Sequence, residues 1–204
     1  EVDDLVSYIA QKAEIYKHYQ RIRADYVKKI SGRQDVNVWD LSIRPSGTQA
    51  PRFTIQQATE IILKALSPLG AEYAAELKAL LDSSNGRMDI VPGENRKAGG
   101  FSQGFIGTDS VFFSQGFRGS YNDVRVLTHE STHAVHRQLM NVNHVLPTYA
   151  DGPNFLFKAF AIFSEFLLID YLGSVETDPL KKQLYLEQFL EGKGTIIFSV
   201  APEV

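Results

Sequence analysis

The spacing of apolar positions predicts a mostly helical chain. Leu5, Ile9, Ala13, Tyr16, Tyr19, Ile22, Tyr26 and Ile30 recur at helical spacing in the first segment, an apolar stripe of period 3.6. Its basic residues, Lys17, Arg21, Arg23, Lys28 and Lys29, read as a solvated face. Ser31–Gly32 stops that helix. Residues 33–53 carry Pro and Gly without a period and read as a loop, with Trp39 and Leu41 expected to pin it to the core. Thr54-Ile-Gln-Gln57 is a capping box that starts a second helix. Ser67–Pro68 interrupts it near Leu66, and a further helix reaches about Leu81. After the Asn85–Gly86 turn, a Gly- and Phe-rich stretch offers candidate strands at Met88–Val91, Gly99–Phe105 and Ser110–Phe117. Ser120 then caps a helix from Tyr121 to Met140. A loop with Pro147, Gly152 and Pro153 leads to a very apolar helix, Phe155 to Leu172, and Asp178–Pro179 opens a last one to about Glu191.

Composition narrows the chemistry. The 204 residues have an average globular make-up, 44% hydrophobic and 22% charged, which excludes wholesale disorder. The formal charge of −3 leaves no basic surplus for a phosphate backbone, so nucleic acid is not an expected partner. Cys is absent, so any metal must be held by His and carboxylate. No apolar run reaches the length needed to span a bilayer, and the acidic start Glu1–Val2–Asp3–Asp4 does not read as a signal peptide. Cytoplasm is the default expectation, though a removed leader would leave no trace. Both ends look cut from something longer, so residues 1–204 are read as a single, incomplete catalytic domain.

His129-Glu130-Ser131-Thr132-His133 is an H-E-x-x-H motif on the helix that Ser120 caps. Residues at i and i+4 share one helical face, so the two imidazoles can converge on one metal ion. Zinc accepts His nitrogens and keeps a position open for water at catalytic sites. Glu130 lies beside that face and can take a proton from the activated water. The surrounding Val124, Leu127, Ala134 and Val135 imply a largely buried helix, where two His and a Glu need partners. His136 lies on the same side but roughly 10 Å along the axis from His129 at 1.5 Å per residue. It reads as a substrate contact, a residue supporting the ligands, or a satisfied core His. His18 and His144 read as structural or surface residues.

Longer stretches carry a family resemblance. Phe117-Arg-Gly-Ser-Tyr-Asn-Asp-Val-Arg-Val-Leu-Thr-His129-Glu130-Ser-Thr-His133-Ala-Val-His136 resembles the metal-binding stretch of the oligoendopeptidase F / thimet oligopeptidase family. That family writes H-E-x-G-H-x-x-H after an aromatic-x-Gly-Thr-x-x-Asp-Val lead-in. Trp39-Asp40-Leu41 resembles its Tyr-Asp-Leu, and Ala65-Leu-Ser-Pro-Leu-Gly70-Ala-Glu-Tyr73 resembles its A-L-x-P-L-G-x-x-Y. Met88-Asp89-Ile90 with Arg96-Lys-Ala-Gly99-Gly-Phe-Ser102 resembles its strand pair. Phe163-Ser-Glu165-Phe-Leu-Leu-Ile-Asp170-Tyr171-Leu resembles F-N-E-x-L-L-x-D-Y-L. The likeness covers most of the chain. It implies a mainly α fold with a small antiparallel β-sheet and a zincin-like core, in which the H-E-x-x-H helix packs on a second, apolar helix. It further implies a zinc ion on His129 and His133, Glu130 as general base, and hydrolysis of short peptides.

Three departures accompany the resemblance. Thr132 stands where the family has Gly. Lys158 stands where the family's third metal ligand, a Glu, falls. A later family segment that helps bind substrate has no counterpart here. Glu165, the only carboxylate in the apolar stretch 155–169, is then read either as the third ligand or as an acceptor that orients a ligand His while water or a partner residue fills the third position. Gly99, Gly100 and Gly104 leave room for a peptide backbone along the strand. Gly99, Gly100, Phe101 and His136 are accordingly the candidate substrate-binding residues, although the glycines would serve equally to make turns. The expected activity is that of a metalloendopeptidase of the oligopeptidase type. The alternatives are a peptide-binding relative without catalysis, or one half of a split peptidase. A partner chain or homo-oligomer is left open.

Overall fold

Local capping sets where the main helices begin. The computed structural model describes residues 2–43, 50–96, 99–105, 107–114, 116–149 and 151–200; Lys97, Ala98 and residues 201–204, used in the sequence reading, lie outside them. Thr54 accepts a hydrogen bond from Gln57 N at 3.1 Å, and Gln57 Oε1 accepts from Thr54 N at 2.9 Å. This reciprocal box starts α2 (Ile55–Ala65). A 3₁₀ turn at Ser67–Leu69 follows, and Gly70 at φ 99° breaks into α3 (Ala71–Leu80). Ser120 and Asp123 form the same kind of box at the start of a 22-residue helix, Tyr121–Val142. The two starts are tied together. Phe53 N donates to Gly119 O at 2.9 Å. Gly119 has φ +87°, and a Cβ there would stand 2.5 Å from Phe53 O, so only glycine lets the two segments meet this closely.

Between these helices lie β1 (Met88–Asp89), β2 (Gly100–Gln103) and β3 (Val111–Ser114). All are shorter than the sequence pattern suggests. The sheet is also mixed rather than antiparallel. The strand order is β1-β3-β2, with β1 parallel to β3 and β2 antiparallel to it. Met88 pairs with Phe112, and Phe101 with Phe113. β1 and β2 lie on opposite edges of β3 and so cannot form a tight hairpin with each other. β2 is therefore an outer strand.

The Tyr121–Val142 helix is α4; α5 is Asn154–Val175. The chain divides into two compact units, residues 1–49 with 179–204, and residues 50–178. In the larger unit α4 packs against α3, α5, β2 and β3. Val124, Leu127, Ala134 and Val135 of α4, Ala161, Leu168 and Leu172 of α5, Ala58 and Ile62 of α2, and Leu77 and Leu80 of α3 are buried. Each large aliphatic side chain removed from water here contributes about 1.5–3 kcal/mol.

The smaller unit contains α1 (Val2–Ser31), a 3₁₀ turn at Val38–Ser42, and α6 (Pro179–Val200). Asp3 and Asp4 begin α1 and Lys28 and Lys29 end it, which complements the helix dipole. α1 packs on α6 and on the turn. Buried Arg23 donates to Ile43 O at 3.2 Å and faces Glu187 and Glu191 at 3.5 and 3.4 Å. Trp39, expected to anchor the loop, is 74% exposed. Buried Asp40 anchors it instead, accepting from Arg33 Nη1 at 2.6 Å and Asn37 N at 3.0 Å. Among the described residues no helix is long and apolar enough to cross a membrane.

Candidate active site

Helix α4 presents four basic side chains at successive i, i+4 positions: Arg125, His129, His133 and Arg137. That spacing keeps them on one stripe. Carboxylates tie down both ends. Arg125 Nη1 donates to Glu165 Oε2 of α5 at 3.0 Å. Arg137 pairs with Asp151 at 2.6 and 3.2 Å and also donates to Ser102 O of β2 at 2.6 Å. The two imidazoles lie between these clamps.

His129 Nδ1 stands 2.7 Å from Glu165 Oε1. Glu165 is 1% exposed, and its two oxygens serve His129 and Arg125. A carboxylate oxygen accepts from a ring N–H, so this contact orients His129 with Nδ1 toward Glu165 and Nε2 toward His133. His133 Nε2 lies 3.2 Å from that nitrogen. Glu165 thus stands on the Nδ1 side of His129, not beside the paired Nε2 atoms. The His133 ring is stacked on Phe157 of α5, with centroids 4.0 Å apart and planes at 19°. Its Nδ1 is buried without a hydrogen-bond partner among the described residues. Burial, followed by the charges on His129, Lys158, Arg137 and His136, pushes His133 down to about 3. It is therefore neutral near pH 7, the form that ligates a metal.

The pair passes a simple geometric test. Two nitrogens at 2.0–2.1 Å from one tetrahedral zinc are about 3.3 Å apart, close to the 3.2 Å found here. His129 and His133 therefore fit two positions on a divalent ion. Among the described residues, no group of three or more His, Asp or Glu is arranged to hold a metal. Lys158 also approaches the pair, its Nζ 3.5 Å from His133 Nε2.

Glu130 projects against β2. A Cβ built on Gly100 would stand 2.8 Å from Glu130 Cγ and 2.9 Å from its Cδ and Oε1. Burial raises the Glu130 pKa, opposed by the charges of His129, Lys158 and Arg137. A raised carboxylate is a better proton acceptor near neutrality. Gly99, Gly100, Ser114, Arg125, His129 and Glu130 help line a cavity of ≈ 240 Å³.

The sequence-selected residues fall into two groups. His129, Glu130, Gly99 and Gly100 meet at this cavity, with Glu165 at His129 Nδ1 and His133 Nε2 3.2 Å from His129 Nε2. Phe101 is half-exposed and stacks on Phe113. His136 is set apart among Phe157 and Phe160 at 5.4 and 5.3 Å. Thr132 is accommodated by Tyr73, whose hydroxyl hydrogen-bonds it at 3.1 Å, and it donates to Thr128 O. The sequence reading passed over Arg125, Arg137, Asp151 and Phe157. Extending the His129/His133 spacing one turn each way finds both arginines, whereas Asp151 and Phe157 had no local signal.

No family model matches the chain. Oligopeptidase PepF of Bacillus subtilis is 28% identical over 195 residues, which cover 95% of this chain and 28% of that protein. An oligoendopeptidase F homolog of Mycoplasma pneumoniae is 28% identical over 137 residues, 66% of this chain and 22% of that protein. A candidate peptidase from Chlamydophila abortus superposes with TM-score 0.81 at 24% identity, covering 98% of this chain and 32% of that one. A candidate oligoendopeptidase F from Bacillus anthracis gives 0.70 at 17%, covering 95% and 35%. The fold is thus that of known peptidase structures, and the chain spans less than a third of the length of these curated relatives.

Proposed function

We propose that this chain, a relative of the oligoendopeptidase F peptidases, takes part in hydrolysis of short peptides, with His129 and His133 holding a divalent metal, zinc foremost, in a zincin-like site. The observation that carries this reading is the pair of Nε2 atoms 3.2 Å apart with Glu130 beside them. A metal there supplies Lewis acidity, polarising a peptide carbonyl and acidifying a water. Glu130 accepts the proton of the water that attacks the scissile carbonyl and returns it to the leaving amine. Glu165 is a positioning residue, because it fixes the His129 ring and tautomer. An extended peptide adds along the outer strand β2, where Gly99 and Gly100 allow close backbone approach and half-exposed Phe101 contacts a side chain. His136 is set back from this path and supports the site through Phe157.

Chelation tests the metal. Removing it is expected to lower the melting temperature and abolish cleavage of a fluorescence-quenched peptide, with zinc restoring both. His129→Ala should lose the bound metal. Unchanged melting on chelation together with unchanged metal content in His129→Ala would overturn the reading.

Gly100 provides a separate test. The added methyl in Gly100→Ala needs Glu130 to shift, since its Cγ and Cδ lie under 3 Å from the new atom. The expected outcome is a fall in kcat of about 10-fold or more, the scale at which a displaced general base loses its contribution. Melting temperature should change little, and KM should rise as well if the methyl narrows the peptide path along β2. An altered KM with intact kcat would assign Gly100 to peptide binding alone.

A further inference from the structure

We propose that Lys158 is a built-in competitor for the metal. Its ammonium group occupies the third place around the His129/His133 pair, and a divalent ion must displace it to bind. The proposal rests on the metal reading above and specifies how that site is regulated.

The placement follows from the fold. Phe157 is buried and stacked on His133, which fixes the first turn of α5 against the middle of α4. The next residue, Lys158, then projects its amine to 3.5 Å from His133 Nε2. An ion about 2.0–2.1 Å from that nitrogen would lie at most about 5.5 Å from Nζ. Like charges this close repel strongly in a partly dry site. The bound carboxylates nearby are already committed, Glu165 to Arg125 and His129, and Asp151 to Arg137. Among the described residues no direct ion pair holds Lys158, although its charge also acts on the Glu130 carboxylate.

Lys158 is nevertheless displaceable. The residue is exposed, and its four-carbon stem can carry the ammonium into water. Zinc binding is thus weakened rather than prevented. Two histidines also leave the ion short of the three protein ligands usual at catalytic zinc sites. Position 158 controls both effects, because an uncharged residue removes the repulsion and a carboxylate also adds a donor.

The test is a zinc dissociation constant for the whole chain, measured by competition with a chromophoric chelator at fixed pH and supported by zinc-dependent melting shifts. Lys158→Met keeps the stem without the charge and is expected to bind zinc at least tenfold more tightly. Lys158→Gln provides a second neutral variant if Lys158→Met folds poorly. Lys158→Arg retains the charge and should stay near wild type. Lys158→Glu should bind most tightly of all, by about 100-fold or more. Neutral variants with wild-type affinity would overturn the proposal while leaving the two-histidine site intact. Absence of zinc binding in every variant, indistinguishable from His129→Ala, would instead remove the metal reading and this proposal with it.

Discussion

Glu130→Gln is expected to lower kcat/KM for a fluorescence-quenched peptide by about 10²–10⁴-fold, the usual contribution of a positioned general base. The substitution keeps the shape that fits against Gly100, where Glu130 Cγ and Cδ leave no space for a methyl. It removes only the capacity to accept a proton. Melting temperature and zinc content should therefore match wild type, because Glu130 neither bonds the imidazoles nor anchors the helix. A steady-state assay on metal-loaded protein, with zinc measured on the same sample, checks this. Wild-type turnover in Glu130→Gln would exclude Glu130 as the base. A loss of zinc in parallel with activity would show that the residue acts through the metal site.

Glu165→Gln is expected to weaken zinc affinity about 10–100-fold, as for other residues that hold a ligating His. Both carboxylate oxygens accept, one toward His129 Nδ1 at 2.7 Å and one from Arg125 Nη1 at 3.0 Å. A carboxamide has one acceptor, so its amino group must face one of the two donors. If it faces His129, the imidazole loses its anchor and tautomer. If it faces Arg125, a buried donor meets a donor. The stability cost is about 1–3 kcal/mol, toward the low end because Arg125 is partly exposed and also donates to Asn122 at 3.0 and 3.2 Å. Chemical denaturation and chelator competition measure the two effects separately. Complete zinc loss, well beyond 100-fold, would mean that Glu165 itself ligates. Unchanged affinity would leave it a structural role only.

Legibility in the sequence followed the range of the interaction responsible. Helices α2 and α4 were readable because Thr54–Gln57 and Ser120 act within one turn, and both helices start where these residues place them. The i, i+4 histidines were readable for the same reason. The sheet was not. Its antiparallel form was expected from the family resemblance, but β1 pairs with β3 in parallel, and nothing local encodes that pairing. Trp39 misled because apolar size suggests burial, while Asp40 had three polar contacts within reach to hold the turn. At the candidate site, the partners of Glu165 came from a helix 36 and 40 positions away. Burial of a carboxylate in an apolar stretch announced that it needed partners, but not which ones.

The box at Ser120 also sets what kind of change the following segment can absorb. It fixes the phase of α4, and every residue beyond it adds about 100° of rotation and 1.5 Å of rise. Inserting or deleting one residue between Ser120 and His129 turns the imidazoles a quarter-circle or more away from Glu165 and lifts Glu130 off Gly100. The same length change in residues 143–146, mostly exposed beyond the end of the helix, leaves the phase untouched. Variation in length among related chains should therefore collect after α4 and be absent from its first turns.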